Sequence, residues 1–291
     1  MTNLAVERPA PPSSVGRRLA WLGAGLLLLV AFLLIELRWN ALLDLPAGVA
    51  LVFYRMFLEH GPEWSYLGPA LELMVESIQI AWIGTVIGAI ISLPLGFFGA
   101  KNITSGLVSN VVRQLLNAIR AIPEILVAVI IFIPMVGLGA YAGALAIGIH
   151  SIGTLGKLSA EVIEGIDSGP VEAARATGGG ALQVQRWGVL PQVMPEIVAF
   201  WLYRFEINVR ASAVLGVLGA GGIGEALVQS LRFARYDRAG MAVIVIIVAT
   251  ILIDAISGTV RRRIIEGGEA RVDAGEVEAL GSPLRADGDI R

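Results

Sequence analysis

Residues 125–156 carry no formally charged side chain apart from His150 if it is protonated. Such a run has to be kept from water. A membrane-spanning helix takes about 20 apolar residues, so this run is too long for one span and slightly short for two. Pro134, Gly137 and Gly139 interrupt it, which predicts a tight hairpin of two helices. Composition agrees: 56% of the chain is hydrophobic and 16% charged, against roughly a quarter charged in soluble domains. The apolar excess lies in long runs, the signature of a multi-span membrane protein.

Four other apolar runs place the remaining spans. Residues 19–35 are apolar and follow Arg17 and Arg18. This run is long for a signal-peptide core, and no small-x-small cleavage site precedes Glu36-Leu37-Arg38-Trp39, so it reads as an uncleaved span. The second span is 78–98. The third begins near 119–123, and the fourth runs from about Gly139 into 157–166. The fifth is 197–218 and the sixth 241–260. The expected fold is all-α, with about six transmembrane helices and both termini on one side. Residues 1–17 read as a disordered tail, 18–37 as the first transmembrane helix and 38–73 as an external segment. Residues 74–264 form the core domain, and 265–291 a second disordered tail.

Loop charge orients the chain. Arg8, Arg17 and Arg18, then Lys101, Arg113 and Arg120, then Lys157, Arg175 and Arg186, and finally Arg261, Arg262 and Arg263 fall on one side. That side is cytoplasmic. The segment 38–73 carries Asp44, Glu59, Glu63 and Glu72 and falls outside. Arg232, Arg235 and Arg238 break the rule, because six spans put them outside as well. A formal net charge of −2 gives no reason to expect nucleic acid. With no cysteine, and with His60 and His150 far apart, nothing points to a metal site or another cofactor.

Between the fourth and fifth spans lies PVEAARATGGGALQVQRWGVLP, at 170–191. Ser168 can cap a short helix with Pro170 in its first turn. Gly178, Gly179 and Gly180 end that helix, and 181–189 can form a second one closed by Pro191. Neither helix is long enough to be stable alone in water, so both must dock on something. Glu172-Ala173-Ala174, then Gly178, then Leu190-Pro191 match the full spacing of the EAA loop of ABC-importer permeases, with Gly188 where that family usually has isoleucine. The strings RAIPEILVA at 120–128 and LYRFEINVRASAVLGVLGAGGIG at 202–224 resemble the permeases of phosphonate-type ABC importers, and the likeness covers roughly residues 70–262.

The resemblance implies a type I importer permease fold in a bacterial inner membrane. It implies that 168–191 is the cytoplasmic coupling loop, seated through Glu172, Ala173, Ala174, Gly178, Leu190 and Pro191 on a dimer of ATP-binding subunits. It implies an external substrate-binding protein and a second permease copy or a homologue. The cargo would be phosphonate or a related phosphorus oxyanion, with phosphite and phosphate as alternatives. An ATP-independent secondary carrier is the remaining alternative.

The residues themselves argue against chemistry in this chain. A phosphate-binding loop needs a lysine followed by serine or threonine. Neither Lys101 nor Lys157 fits, so ATP hydrolysis is expected of a separate subunit. The run 219–224 satisfies G-x-G-x-x-G, but it follows a span rather than a strand and reads as a flexible break. Asp254 is the only aspartate in a proposed span and no HExxH or GxSxG occurs, which argues against an intramembrane hydrolase.

The fifth span carries Arg204, Glu206 and Arg210. Charges at such depth cost several kcal/mol unless paired or solvated. Counting from Pro195, Arg204 lies roughly 13 Å in, near mid-membrane. Glu206 and Arg210, four apart, suit an ion pair that locks helices. Arg204 with Asn208, one turn on, is the better candidate for a path that attracts an anion. Arg210 and His150 are further candidates for that path. Glu124 is expected to cap its helix or to pair with Arg120.

Overall fold

The computed structural model describes residues 14–34 and 39–281, which among them form helices and turns without a strand. The chain divides into two units, Met1–Phe53 and Tyr54–Arg291. In the first, α1 (Ser14–Leu34) carries the expected first span and begins a turn earlier than expected. Its apolar side chains, Trp21, Leu27 and Leu34 among them, are exposed all round, as suits lipid. Of the tail expected at 1–17, residues 14–17 are helical and 1–13 lie outside the described residues, as does the span end at 35–37. α2 (Trp39–Tyr54) makes much of the expected external segment helical.

The second unit begins with a π-turn (Arg55–Glu59) and a 3₁₀ turn (Trp64–Tyr66) that lead into α3 (Leu67–Gly99). α4 (Gly106–Ala121) follows, then α5 (Glu124–Val127), a π-turn and α6 (Ile133–Val136). α7 (Ala140–Glu164), α8 (Ser168–Ala176) and α9 (Ala181–Val184) come next. A further π-turn joins α9 to α10 (Leu190–Gly216) before α11 (Gly222–Arg232) and α12 (Tyr236–Gly281). The tail expected from residue 265 is therefore helical as far as Gly281.

Small residues set the centre of this unit. Gly84, Gly88, Ser92 and Gly96 recur every fourth residue of α3 and so share one face. That face meets α7 so closely that a Cβ on Gly84 would lie 2.6 Å from Ile147 Cγ2, and one on Gly96 2.6 Å from Ser159 Cβ. Numbers rise together along both helices, so α3 and α7 run parallel. In lipid there is no hydrophobic drive between helices, and close van der Waals packing of this kind holds them together.

Parallel neighbours need a chain that returns across the membrane between them, and α4–α6 supply it. Pro123 lacks an N–H and disfavours helix at Ile122, so the chain breaks there. The helices Gly106–Ala121 and Glu124–Val136 meet at 84°. Residues 124–136 span only about 19 Å as helix, too little to cross alone. The third span expected from 119–123 is thus a short helix rising from a bend that packs beside Gly153 of α7. The hairpin at Gly137 and Gly139 is as expected, with φ of 84° and 129°.

Among the described residues, three helices are long and apolar enough to cross a membrane: Val15–Leu34, Trp64–Gly99 and Tyr236–Ile265. The bent pair makes a fourth if taken as one span. α7 and α10, at 25 and 27 residues, are long enough for the expected fourth and fifth spans but carry too many polar groups to qualify by composition. Those polar groups form the site described below.

Candidate functional site

Arg204, at mid-length of α10, is 7% exposed. It donates from Nε to Ser151 Oγ at 3.1 Å and from Nη2 to His150 Nδ1 at 2.6 Å. Guanidinium only donates, so Nδ1 is the acceptor and a neutral His150 carries its proton on Nε2. One turn along α10, Asn208 donates from Nδ2 to Thr85 Oγ1 at 2.8 Å and to Ser151 Oγ at 3.1 Å. Glu124 Oε2 lies 3.6 Å from His150 Nδ1. Side chains of α3, α5, α7 and α10 thus meet at one buried point. Three of the expected pathway residues, Arg204, Asn208 and His150, are among them.

Two features of this cluster are unusual for a packed interior. Among the described residues, no carboxylate lies within ion-pairing distance of Arg204. Asn208 Oδ1 is buried without a hydrogen-bond partner, although Asn208 as a whole is 0% exposed. Buried polar groups are nearly always satisfied, and a buried cation ordinarily has an anion beside it. The arrangement offers donors and one free acceptor at a place shielded from bulk water.

The expected Glu206–Arg210 pair is not formed. Glu206 Oε1 faces Arg261 Nη2 at 3.3 Å, and Arg210 Nη1 reaches Asp254 Oδ2 at 2.9 Å. α12 lies antiparallel to α10 and offers each charge an opposite one, so both pairs tie two helices together. Arg210 is half exposed on that side, away from the cluster around Arg204. Glu124 turns to His150, and no contact with Arg120 forms.

The glycine run at 219–224 joins α10 to α11, and no strand precedes it. Gly221 has φ of 81°, and a Cβ there would meet Glu76 Oε1 at 2.6 Å. Ile223 N donates to Ser77 Oγ at 3.0 Å, pinning the break to α3. At the same end of α3, Arg238 Nε donates to Glu63 Oε2 at 2.7 Å and its guanidinium lies over the Tyr66 ring. Arg55 lies likewise over Tyr236. Of the three arginines that depart from the charge rule, Arg238 is thus neutralised by Glu63. The Arg238 guanidinium also holds the Glu63 carboxyl below its usual range.

In the loop between α7 and α10, Asp167 rather than Ser168 caps α8, accepting from Gly169 N at 3.0 Å. Glu172 and Ala173 are exposed on α8, Ala174 is half-buried, and Gly178 ends the helix with φ of 78°. The second helix does not close at Pro191. α9 runs through its π-turn into α10, and Pro191 occupies the first turn, where its missing N–H costs nothing. Gly188 is buried against α8: a Cβ there would lie 3.0 Å from Val171 Cα and 3.1 Å from Pro170 O. Gln192 fastens the same corner, donating to Gly188 O at 2.6 Å and accepting from Asp167 N at 3.1 Å. Leu190 is half-buried beneath it. Leu182 and Trp187, 81% and 68% exposed, leave an apolar surface beside α8.

Sequence reasoning missed Thr85, Gly88, Gln192, and the pairing of Arg210 with Asp254 and of Glu206 with Arg261. The fourfold spacing of small residues on α3 was a signal for the second of these. The others depend on which helices adjoin, which no local pattern carries.

The residues 92–266 match the family model described as the binding-protein-dependent transport system inner membrane component. Over 202 residues the chain is 43% identical to a phosphite transport system permease protein of Stutzerimonas stutzeri, covering 69% of this chain and 73% of that protein. Over 237 residues it is 38% identical to a phosphate-import permease protein of Mycolicibacterium smegmatis, covering 81% of this chain but 44% of that longer protein. Among solved structures, the inward-facing MetNI methionine ABC transporter includes a chain with a TM-score of 0.59 and 22% identity, covering 67% of this chain and 98% of that one. At that identity the likeness shows the fold alone. With its all-α membrane architecture and a match over most of its length, the chain belongs to the family of binding-protein-dependent transport system inner membrane components, the permease subunits of ABC importers.

Proposed function

We propose that this permease carries phosphonate, or the related oxyanions phosphite and phosphate, into the cytoplasm of a bacterium along a path that passes Arg204. The observation that carries the reading is a buried guanidinium at mid-helix with no carboxylate in ion-pairing distance among the described residues, beside the orphaned Asn208 Oδ1. A planar guanidinium suits the oxygens of a phosphorus oxyanion, and a singly protonated anion could also donate to Asn208. The relatives named for phosphite and phosphate transport support this class of cargo. One fixed charge, rather than several, suits a conduit that must release what it attracts.

Power comes from a separate ATP-hydrolysing subunit dimer, docked on Glu172, Ala173, Ala174 and Gly178, with Leu190 and Pro191 fixing the base of the loop. The exposure of this helix and of the apolar side chains beside it supports such docking. An external binding protein delivers the anion. A second copy of the chain, or a homologue, completes the path across the inner membrane. Six helical crossings, with both termini cytoplasmic, fit the charge pattern, with α7 and α10 as the polar spans lining the path.

Growth tests this. The chain, with its cognate ATPase and binding protein, is placed in cells lacking phosphonate, phosphite and phosphate uptake but able to use each compound as sole phosphorus source. Growth on one or more of the three, lost with Arg204→Gln and separately with Glu172→Arg, is expected. Full growth of Arg204→Gln would remove the pathway assignment. Uptake persisting without the ATPase would replace the importer reading with a secondary carrier.

A further inference from the structure

Two opposite charges converge on Nδ1 of His150: Arg204 Nη2 at 2.6 Å and Glu124 Oε2 at 3.6 Å. The first is a hydrogen bond. The second is not, because Nδ1 is already the acceptor for Arg204 and has no proton to give. Among the described residues the Glu124 carboxylate has no hydrogen-bond donor, and its side chain is 28% exposed. It follows Pro123, at the bend where the half-length helix begins. A loosely held carboxylate thus stands at the accessible side of a buried cation that has no ion-pair partner.

Resting on the pathway reading above, we propose that Glu124 is a tethered competitor of the transported oxyanion, occupying the counter-anion place beside Arg204 and His150 when cargo is absent. Cargo and carboxylate are both negative, and two anions beside one guanidinium at low dielectric repel each other strongly. The arriving anion displaces Glu124. The returning carboxylate then expels the anion, so the site is neutralised between cycles yet never binds cargo tightly. The bend at Pro123 gives the carboxylate a place to swing without disturbing α7 or α10. Glu124 is then a residue that sets affinity and release, and not merely the helix cap or Arg120 partner its sequence position suggests.

The test uses the detergent-solubilised permease–ATPase complex without binding protein, titrated calorimetrically with methylphosphonate, phosphite and phosphate. It is joined to ATP-driven uptake by the same variants in proteoliposomes with binding protein present. Glu124→Gln removes the competing charge and keeps the side-chain volume. It is expected to bind at least one of the three anions about tenfold or more tightly than wild type, the order that follows from deleting a like charge a few ångströms away. Its maximal uptake rate is expected to fall, with a lower half-saturating concentration. Glu124→Asp keeps the charge on a shorter stem and is expected to fall between wild type and Glu124→Gln in both. Unchanged, weaker or undetectable binding by folded Glu124→Gln would overturn the proposal, as would a loss of thermal stability with no gain in affinity. Arg204→Gln in the same assays separates the two ideas. If it keeps wild-type uptake, the pathway reading itself fails. If it abolishes uptake while Glu124→Gln gains no affinity, only the competitor role fails.

Discussion

Gly88→Ala should damage both the fold and the site, because this glycine lies directly behind Ser151. A Cβ added at Gly88 would sit 2.5 Å from Ser151 Cβ and 3.3 Å from Ser151 C. Carbon atoms are comfortable at about 3.5–4.0 Å, so α3 and α7 must part by about 1 Å or more at this level. They cannot do so locally, since Gly148 already meets Ile87 at 3.0 Å on a hypothetical Cβ and Gly84 meets Ile147. Overpacking of this kind costs about 1–3 kcal/mol. The same movement shifts Ser151 Oγ, which accepts from Arg204 Nε and Asn208 Nδ2, each at 3.1 Å. Hydrogen bonds from charged groups are worth about 1.5–3 kcal/mol, so losing the one from Arg204 at the transport step would slow uptake roughly tenfold or more. Thermal unfolding in detergent and uptake in proteoliposomes measure the two effects separately. The double variant Gly88→Ala with Ser151→Gly should recover stability, because the clash is gone, but not uptake, because the hydroxyl is gone too. Wild-type melting and uptake in Gly88→Ala would refute the close packing and its link to the site together.

Gly188→Ile restores the residue usual at this position of the EAA loop but drives a branched side chain into Pro170 and Val171, so it should push α8 out of place; ATP hydrolysis by the assembled complex should then proceed with much reduced uptake, and tight coupling would contradict the packing. Arg210→Asp and Asp254→Arg should each lower the melting temperature, whereas the charge-swapped double variant should regain part of the loss; additive loss would mean the 2.9 Å pair contributes nothing. The Glu63–Arg238 clasp should depend on pH. Arg238 lowers the Glu63 pKa in the folded protein, so the clasp's contribution is fully present above the ordinary carboxylate range and is lost as pH falls through the lowered value. Proteolysis near residues 55–66 should therefore accelerate on acidification in wild type and be fast at every pH in Glu63→Gln.

Much of this architecture was legible because each span writes its own signal. The uncharged run at 125–156 and its glycines foretold the hairpin, and the EAA spacing marked the exposed helix carrying Glu172. What was not legible depends on neighbours. Glu206 and Arg210 have a good helical spacing for each other, but Asp254 and Arg261 on an adjoining helix offered closer partners. Ser168 and Asp167 are both capping types, and only the backbone geometry decides for Asp167. The start of the third span near 119–123 was legible, but the 84° bend that joins it to α4 depends on the ring geometry of Pro123. Arg204 was marked by depth alone. Its partners came from α7, and the Thr85 contact of Asn208 from a residue 123 positions away.

The most direct test of the account is ATP-driven uptake of radiolabelled methylphosphonate, phosphite and phosphate by the reconstituted importer with wild-type permease, Arg204→Lys and Arg204→Gln, with stability of each assembled complex measured alongside. The account predicts that every anion carried by the wild type is carried poorly by Arg204→Lys, which keeps the charge but not the planar fork, and not at all by Arg204→Gln, in complexes that remain assembled. Uptake by Arg204→Gln at the wild-type rate would contradict it.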